Sequence, residues 1–252
     1  MKIFVTGIAG FLGGHVAQRL LEDGHEVSGC DNLIGGYLDN VPEDAEFYQV
    51  DAIYLNQMKK MTKNVDLVIH TACTAYEGLS VFSPYLVGQN TYQISMSVFS
   101  AVAENKVPKV INFSSMARYG VQEVMPYTED MKATPQDPYG IAKLAAEETL
   151  DVLSNVHGFK YVNLVPHNII GPNQKYDDPY RNVVSIFINR NLQGKHAIIY
   201  GDGEQKRCFS YIDDVIYCLI KLGLDKKINK EIVNVGPDEE TIYIMKVSNF
   251  CY

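Results

Sequence analysis

Short apolar runs alternate with stretches of helical periodicity over the first two-thirds of the chain. The runs fall at Lys2–Thr6, Glu26–Cys30, Glu46–Val50, Val65–His70, Lys109–Phe113 and Lys160–Val165, each of strand length. Between them Val16, Leu20 and Leu21 recur at helical spacing up to Gly24, and Leu55–Met61 and the long stretch Pro84–Asn105 carry the same period. A further helix is predicted from Asp137 to about His157. The run Val65-Asp-Leu-Val-Ile-His70 is apolar enough for burial on both faces. Strand and helix in alternation predict right-handed crossovers and a doubly wound parallel sheet of the α/β class.

The texture changes after Pro166. Gly171–Pro179 is polar and turn-rich, Val183–Leu192 and Ile212–Leu222 read as helices, and Gly201-Asp-Gly203 as a turn. The expected organisation is a sheet domain over 1–166 and a smaller, partly interleaved lobe over 167–252, lying across the carboxyl edge of the sheet where open α/β folds place ligands.

The first strand runs into glycines at Gly7, Gly10 and Gly13 before the helix begins. Strand, glycine turn and helix aim backbone N–H groups and the positive helix end at a phosphate. In this pattern Gly7 permits the turn, Gly10 lets a pyrophosphate approach, and Gly13 lets the helix pack close. The second strand ends at Asp31, where a carboxylate can accept hydrogen bonds from an adenosine ribose. These features together predict a bound dinucleotide. No arginine follows in Asn32–Gly36, which favours NAD over its 2′-phosphorylated form. Asp51 and Ala52 close the third strand; Asp51 is either a contact to the adenine amino group or a cap for the helix before Leu55. Thr71-Ala-Cys-Thr-Ala75 after the fourth strand is small enough for a cofactor to lie against its backbone.

Composition narrows the class. The chain has 252 residues, 46% hydrophobic, with a net charge of -8, which argues against a nucleic-acid surface. Its five cysteines lack C-x-x-C spacing and its six histidines lack paired ligand spacing, so reduced thiols and no metal are expected. No apolar run approaches a membrane span and the N-terminus reads as a strand, so a cytoplasmic protein is expected.

Tyr139 and Lys143 share one helix face, with Asp137 suited to the N-cap and Pro138 to the first helical position. The helix dipole and the lysine charge are both expected to lower the phenol pKa from its usual value near 10, as a general base requires.

Thr6-Gly-x-x-Gly-x-x-Gly13, Asp31, Ser114-Ser115-x-x-x-Tyr119-Gly120, Tyr139-x-x-x-Lys143 and Asn168-x-x-Gly171-Pro172 together resemble the extended short-chain dehydrogenase/reductases. Gly201-Asp-Gly-Glu-Gln-Lys-Arg207 followed by Phe209-Ser-Tyr-Ile-Asp213 is similar to the substrate signature of their NAD-dependent nucleotide-sugar epimerase/dehydratase branch. The resemblance implies a Rossmann-type fold and a catalytic set of Ser115, Tyr139 and Lys143. It places NAD on Gly7, Gly10, Phe11, Leu12, Gly13, Asp31, Asn32, Asp51, Ala52, Thr71, Ala72, Cys73, Asn90, Tyr139, Lys143 and Pro166. It places the nucleotide-sugar on Ser115, Asn168, Asn182, Val183, Tyr200 and Arg207, with His167 lining the pocket.

The implied reaction is epimerisation at C4 of a hexose of the UDP-glucose/UDP-galactose type. A 4,6-dehydratase of the same branch places an Asp-Glu pair after the serine; here Met116 and Ala117 stand there and neither moves a proton. A protein that binds NAD or a nucleotide-sugar without turnover is the alternative of another class. Val165 replaces an arginine common in the family and Cys208 an acidic residue. The family usually continues beyond the position of Tyr252, so an incomplete substrate lobe is expected. The resemblance also implies a homodimer through a four-helix contact, using the helices around Gln89–Asn105 and Ala142–His157.

Overall fold

The computed structural model describes residues 1–178, 182–199 and 201–237, and the backbone of 242–243. In chain order β1 (Lys2–Thr6), α1 (Phe11–Glu22), β2 (Glu26–Asp31), β3 (Glu46–Gln49), α2 (Leu55–Met61) and β4 (Leu67–His70) are followed by the short helices α3 (Glu77–Ser80) and α4 (Pro84–Gly88). Then come α5 (Ile94–Asn105), β5 (Lys109–Phe113), α6 (Pro138–His157), β6 (Lys160–Pro166), β7 (Asn168–Ile170) and α7 (Val183–Leu192). The described chain ends with β8 (Lys206–Arg207), β9 (Phe209–Tyr211), α8 (Ile212–Cys218), β10 (Glu231–Val235) and β11 (Ile242–Tyr243). Pro84–Asn105 is helical throughout, as the periodicity predicts, with one wider π-turn at Gln89–Gln93 joining α4 to α5.

Seven strands form one sheet in the order β10-β6-β5-β4-β1-β2-β3, every pair parallel. The order reverses beside β1, so the carboxyl ends of β1 and β4 diverge and leave a crevice between their loops. Side chains alternate across the sheet. Ile3 and Val5 pack with Val16 and Leu20 of α1 on one face. Phe4 packs with Val98 and Phe99 of α5 and Leu150 of α6 on the other.

Six of the strands are those read from the sequence; β10 is the addition. It pairs with β6 from Glu231↔Val162 to Val235↔Pro166. Ile212, Val215, Ile216 and Leu219 join the same core as Ile3 and Val5, so the boundary at 166 is crossed by a strand and a helix. Outside the large sheet, β7 pairs in parallel with β9 and β11 antiparallel with β8. No helix among the described residues is long and apolar enough to cross a membrane.

Candidate active site

A cleft of about 560 Å³ opens at the carboxyl ends of the strands. Its floor is the glycine turn. Gly7 adopts φ +74° and donates its N–H to the Cys30 carbonyl at 2.8 Å. A Cβ on Gly13 would stand 2.1 Å from the Gly7 carbonyl oxygen, so α1 reaches this depth only because that position has no side chain. Gly10 is the N-cap and supplies no side-chain acceptor. The first-turn N–H groups of Phe11, Leu12 and Gly13 therefore meet the cleft uncapped, at the positive end of the helix. This cradle fits a diphosphate.

Asp31, at the end of β2, accepts N–H groups of Ala9 at 3.1 Å and Leu33 at 2.7 Å. Burial raises its pKa, while the amides from Leu33, Ala9 and Gly10 pull it back. Asp51 accepts from Asn32 Nδ2 and from the Ile53 N–H, both at 2.9 Å. The N-cap of α2 is Tyr54, without a side-chain cap, so Asp51 does not cap that helix; it turns the chain at the cleft wall. Ala52, Thr71, Ala72, Cys73, Asn90 and Pro166 line the same cleft.

Asp137 is the N-cap of α6, its Oδ1 accepting the Gly140 N–H at 2.9 Å, and Pro138 occupies the first helical position. Tyr139 follows in the first turn and lines the cleft with Ser115 and Lys143. The Ser115 hydroxyl accepts the Ala117 N–H at 3.2 Å and also hydrogen-bonds the Tyr139 hydroxyl. The surroundings of Tyr139 act against the expected lowering of the phenol pKa. Burial raises it, the neighbouring Cys73 and Glu77 raise it further, and only the Ser115 bond lowers it. Lys143, one turn on, is held by the backbone. Its Nζ donates to the Phe113 carbonyl at 2.7 Å and sits 5.9 Å from the Tyr139 ring centroid.

The sugar-side residues come from three elements. Asn168 on β7 donates to the Cys208 carbonyl at 3.2 Å. Asn182 caps α7 by accepting the Val184 N–H at 3.0 Å, and Val183 is the first residue of that helix. Arg207 on β8 is exposed and donates from Nη1 to the Lys206 carbonyl at 2.8 Å. Asn168, Asn182, Val183, Arg207 and His167 all line the cleft; Tyr200 lies outside the described residues. His167 Nδ1 is buried and burial lowers its pKa. The turn-rich loop after β7 crosses to the sheet side. His15 contacts the Pro172 carbonyl at 3.0 Å, Tyr37 donates to Asp177 at 2.6 Å, and Tyr76 donates to Asp178.

Three features escaped the sequence reading. Glu77, first residue of α3, lines the cleft near Tyr139 and Arg207; no spacing marks it. Behind Ser115, Arg118 Nε lies 3.0 Å from Glu147 Oε2, and the Ser114 hydroxyl donates to Glu147. Here a signal existed, since Tyr139, Lys143 and Glu147 repeat every four residues on one face. Beneath the floor runs a third feature, a chain of one polarity. The Ala72 N–H donates to Thr6 Oγ1, which meets His70 Nδ1 at 2.8 Å; His70 Nε2 meets Ser95 Oγ at 3.0 Å, and Ser95 donates to the Thr91 carbonyl. That order assigns the His70 proton to Nε2. Burial, with the Lys143 charge second, pushes the His70 pKa down to about 3, so the ring stays neutral.

The comparisons agree with this geometry. A model of the NAD dependent epimerase/dehydratase family matches residues 3–236. A putative UDP-glucose 4-epimerase of Methanocaldococcus jannaschii is 33% identical, over 95% of this chain and 78% of that relative. The crystal structure of UDP-glucose 4-epimerase from Thermotoga maritima with UDP-glucose superposes with a TM-score of 0.94 at 31% identity, covering 100% of this chain and 81% of that one. UDP-glucuronic acid 4-epimerase from Bacillus cereus, in complex with UDP-glucuronic acid and NAD, gives 0.89 at 28%, covering 100% and 82%. With an uncapped, glycine-lined helix start and a ribose-side carboxylate matching a dinucleotide, the chain belongs to the NAD dependent epimerase/dehydratase family of extended short-chain dehydrogenase/reductases, and its cofactor is NAD.

Proposed function

We propose that the chain catalyses reversible epimerisation at C4 of a nucleotide-linked hexose of the UDP-glucose/UDP-galactose type, through a transient 4-keto sugar. The observation that supports it most is the meeting of Ser115 and Tyr139 in the cleft, with the proton-inert Met116 and Ala117 next along the chain. NAD, when bound, supplies the reversible two-electron oxidation of the sugar carbon. The first turn of α1, with Gly7, Gly10 and Gly13, receives its diphosphate, and Asp31 its adenosine ribose, with Asn32 and Asp51 beside it.

The remaining chemistry belongs to the chain. Tyr139 takes the proton of the sugar 4-hydroxyl and returns it, and Ser115 holds the same oxygen. Burial raises the phenol pKa, so its oxygen needs a positive charge beside it to give up its proton. Lys143, fixed by the Phe113 carbonyl, opposes the charge that develops on the phenol oxygen. Asn168, Asn182, Val183, Tyr200 and Arg207 bind the nucleotide diphosphate portion.

Tyr85 and Leu86 of α4, Tyr92 of the π-turn, and Ile141, Val152 and Val156 of α6 are exposed apolar residues, and they support a homodimer joined by two helices from each protomer.

Incubation with UDP-glucose and UDP-galactose in D₂O, followed by NMR, tests the reaction. Inversion at C4 without deuterium at C5 is expected. Deuterium at C5 with loss of the 6-hydroxyl would show dehydration and overturn the reading.

A further inference from the structure

The imidazole of His167 lines the cleft, and its place follows from the sheet. β6 runs beside β5, with Leu164 opposite Phe113 and the Ser114 N–H on the Leu164 carbonyl at 2.8 Å. Pro166 and His167 therefore leave the sheet one strand over from Ser114 and Ser115. The glycine turn after β1 and the carboxylate at the end of β2 lie on the far side of β4.

Two contacts fix His167, and both come from the end of β10. Its N–H donates to the Val235 carbonyl at 2.9 Å. Its ring lies on Gly236, where a Cβ would stand 2.0 Å from Nδ1 and 2.6 Å from Cγ and Cε1. Any side chain at position 236 would drive the imidazole from this position.

The two ring nitrogens then differ. Nδ1 is buried without a hydrogen-bond partner among the described residues. The residue as a whole is half-buried, which leaves Nε2 as the nitrogen open to the cleft. Burial lowers the His167 pKa from its ordinary 6.5, so the ring is neutral at pH 7 and brings no charge. A neutral imidazole nitrogen donates or accepts according to the tautomer, and a hydroxyl meets either. A ligand that fills the cleft strips water from Nε2, and a polar atom so stripped costs affinity unless the ligand pairs it.

We propose that His167 is a specificity residue for the hexose, its Nε2 hydrogen-bonding a hydroxyl of the nucleotide-linked sugar. The inference rests on reading the cleft as a nucleotide-sugar site, in which Ser115 holds the reacting oxygen and Asn168 the diphosphate portion. The hexose spans the distance between those two. His167 adjoins Asn168 in the chain and Ser115 across the strands.

Isothermal titration of the NAD-loaded protein with UDP and with UDP-glucose tests it, because the difference between the two ligands isolates the hexose. His167→Phe keeps an aromatic ring and removes both nitrogens. It should weaken UDP-glucose by about fivefold or more, the scale of one hydrogen bond, and leave UDP affinity and NAD content unchanged. His167→Gln, whose amide reaches the depth of Nε2, should recover most of the loss, with folding of both variants checked by thermal denaturation. An unchanged UDP-glucose affinity in His167→Phe, an equal loss on UDP, or a lower NAD content would overturn the proposal, as would a wild type that binds no UDP-glucose. The expected pattern without C4 inversion by NMR would sink the epimerase reading and leave His167 standing.

Discussion

Arg118→Met removes the cation from the ion pair that braces α6 against the loop carrying Ser115. The two side chains are 7% and 4% exposed, and Nε lies 3.0 Å from Oε2. Breaking such a pair from one side costs about 3–5 kcal/mol, because a charge is left buried. Proton uptake caps the charge part of that penalty. Protonating a carboxyl whose ordinary value is 4.5 costs about 3.4 kcal/mol at pH 7, at about 1.36 kcal/mol per unit. Loss of the guanidinium from the Tyr119 ring, 4.6 Å from its centroid, adds about 0.5–1 kcal/mol. The total of about 4 kcal/mol lowers Tm by roughly 8–16 °C for a chain of this size.

The sign of the pH dependence follows from Glu147. Burial raises its pKa in the folded protein, outweighing Arg118, Ser114 and Lys143, which lower it. Its folded form thus holds the proton more tightly than the unfolded chain. The stability this contributes is present below the unfolded value and lost as pH rises through the folded one. Without Arg118 the folded value climbs further, so the deficit is largest at neutral pH and should shrink as pH falls from 7 to 5.5. Denaturant unfolding of the wild type, Arg118→Met, Glu147→Gln and the double variant at both pH values measures it, the double variant recovering much of the loss. A deficit under about 1 kcal/mol, or one that ignores pH, would refute the argument.

Two further outcomes are expected. Asp31→Ala should weaken NAD binding, read as a smaller thermal shift on adding NAD; tighter binding of NADP than NAD by the wild type would contradict the ribose-side assignment. Tyr139→Phe keeps the ring in its buried place and removes the titrating hydroxyl, so folding and NAD binding should persist while turnover falls by about 10²-fold or more, and near-normal turnover would put the base elsewhere.

The sheet and the glycine turn were legible because local rules determine them. Hydrophobic period sets strand and helix, and Gly7, Gly10 and Gly13 sit where only a missing Cβ allows the approach. Asp137 and Pro138 announced the start of α6 by capping chemistry alone. What stayed hidden depends on distance in the chain. β10 was missed because its partner β6 lies some 70 positions earlier and Glu231-Ile-Val-Asn-Val235 carries no sign of which edge it will join. The Tyr139 pKa runs against the spacing because burial, which spacing does not report, raises it first, with Cys73 and Glu77 adding to it. Glu77 is invisible for the same reason: the fold brings it into the cleft beside residues distant in sequence.

The placement of α8 and β10 also has a consequence for synthesis on the ribosome. β1 is made well before α5, in which Phe4 finds its partners. Ile3 and Val5, on the opposite side of the same strand, share their core with Ile212, Val215, Leu219 and Val235. That side of the sheet therefore stays partly open to solvent until α8 and β10 have been made, and β6 presents an unpaired edge until β10 arrives. Contacts of such sequence separation close slowly, since loop entropy must be lost before burial rewards it. The elements that complete the core around β1 are translated about 200 residues after it, so the nascent protein has an aggregation-prone interval that ends only when α8 and β10 dock.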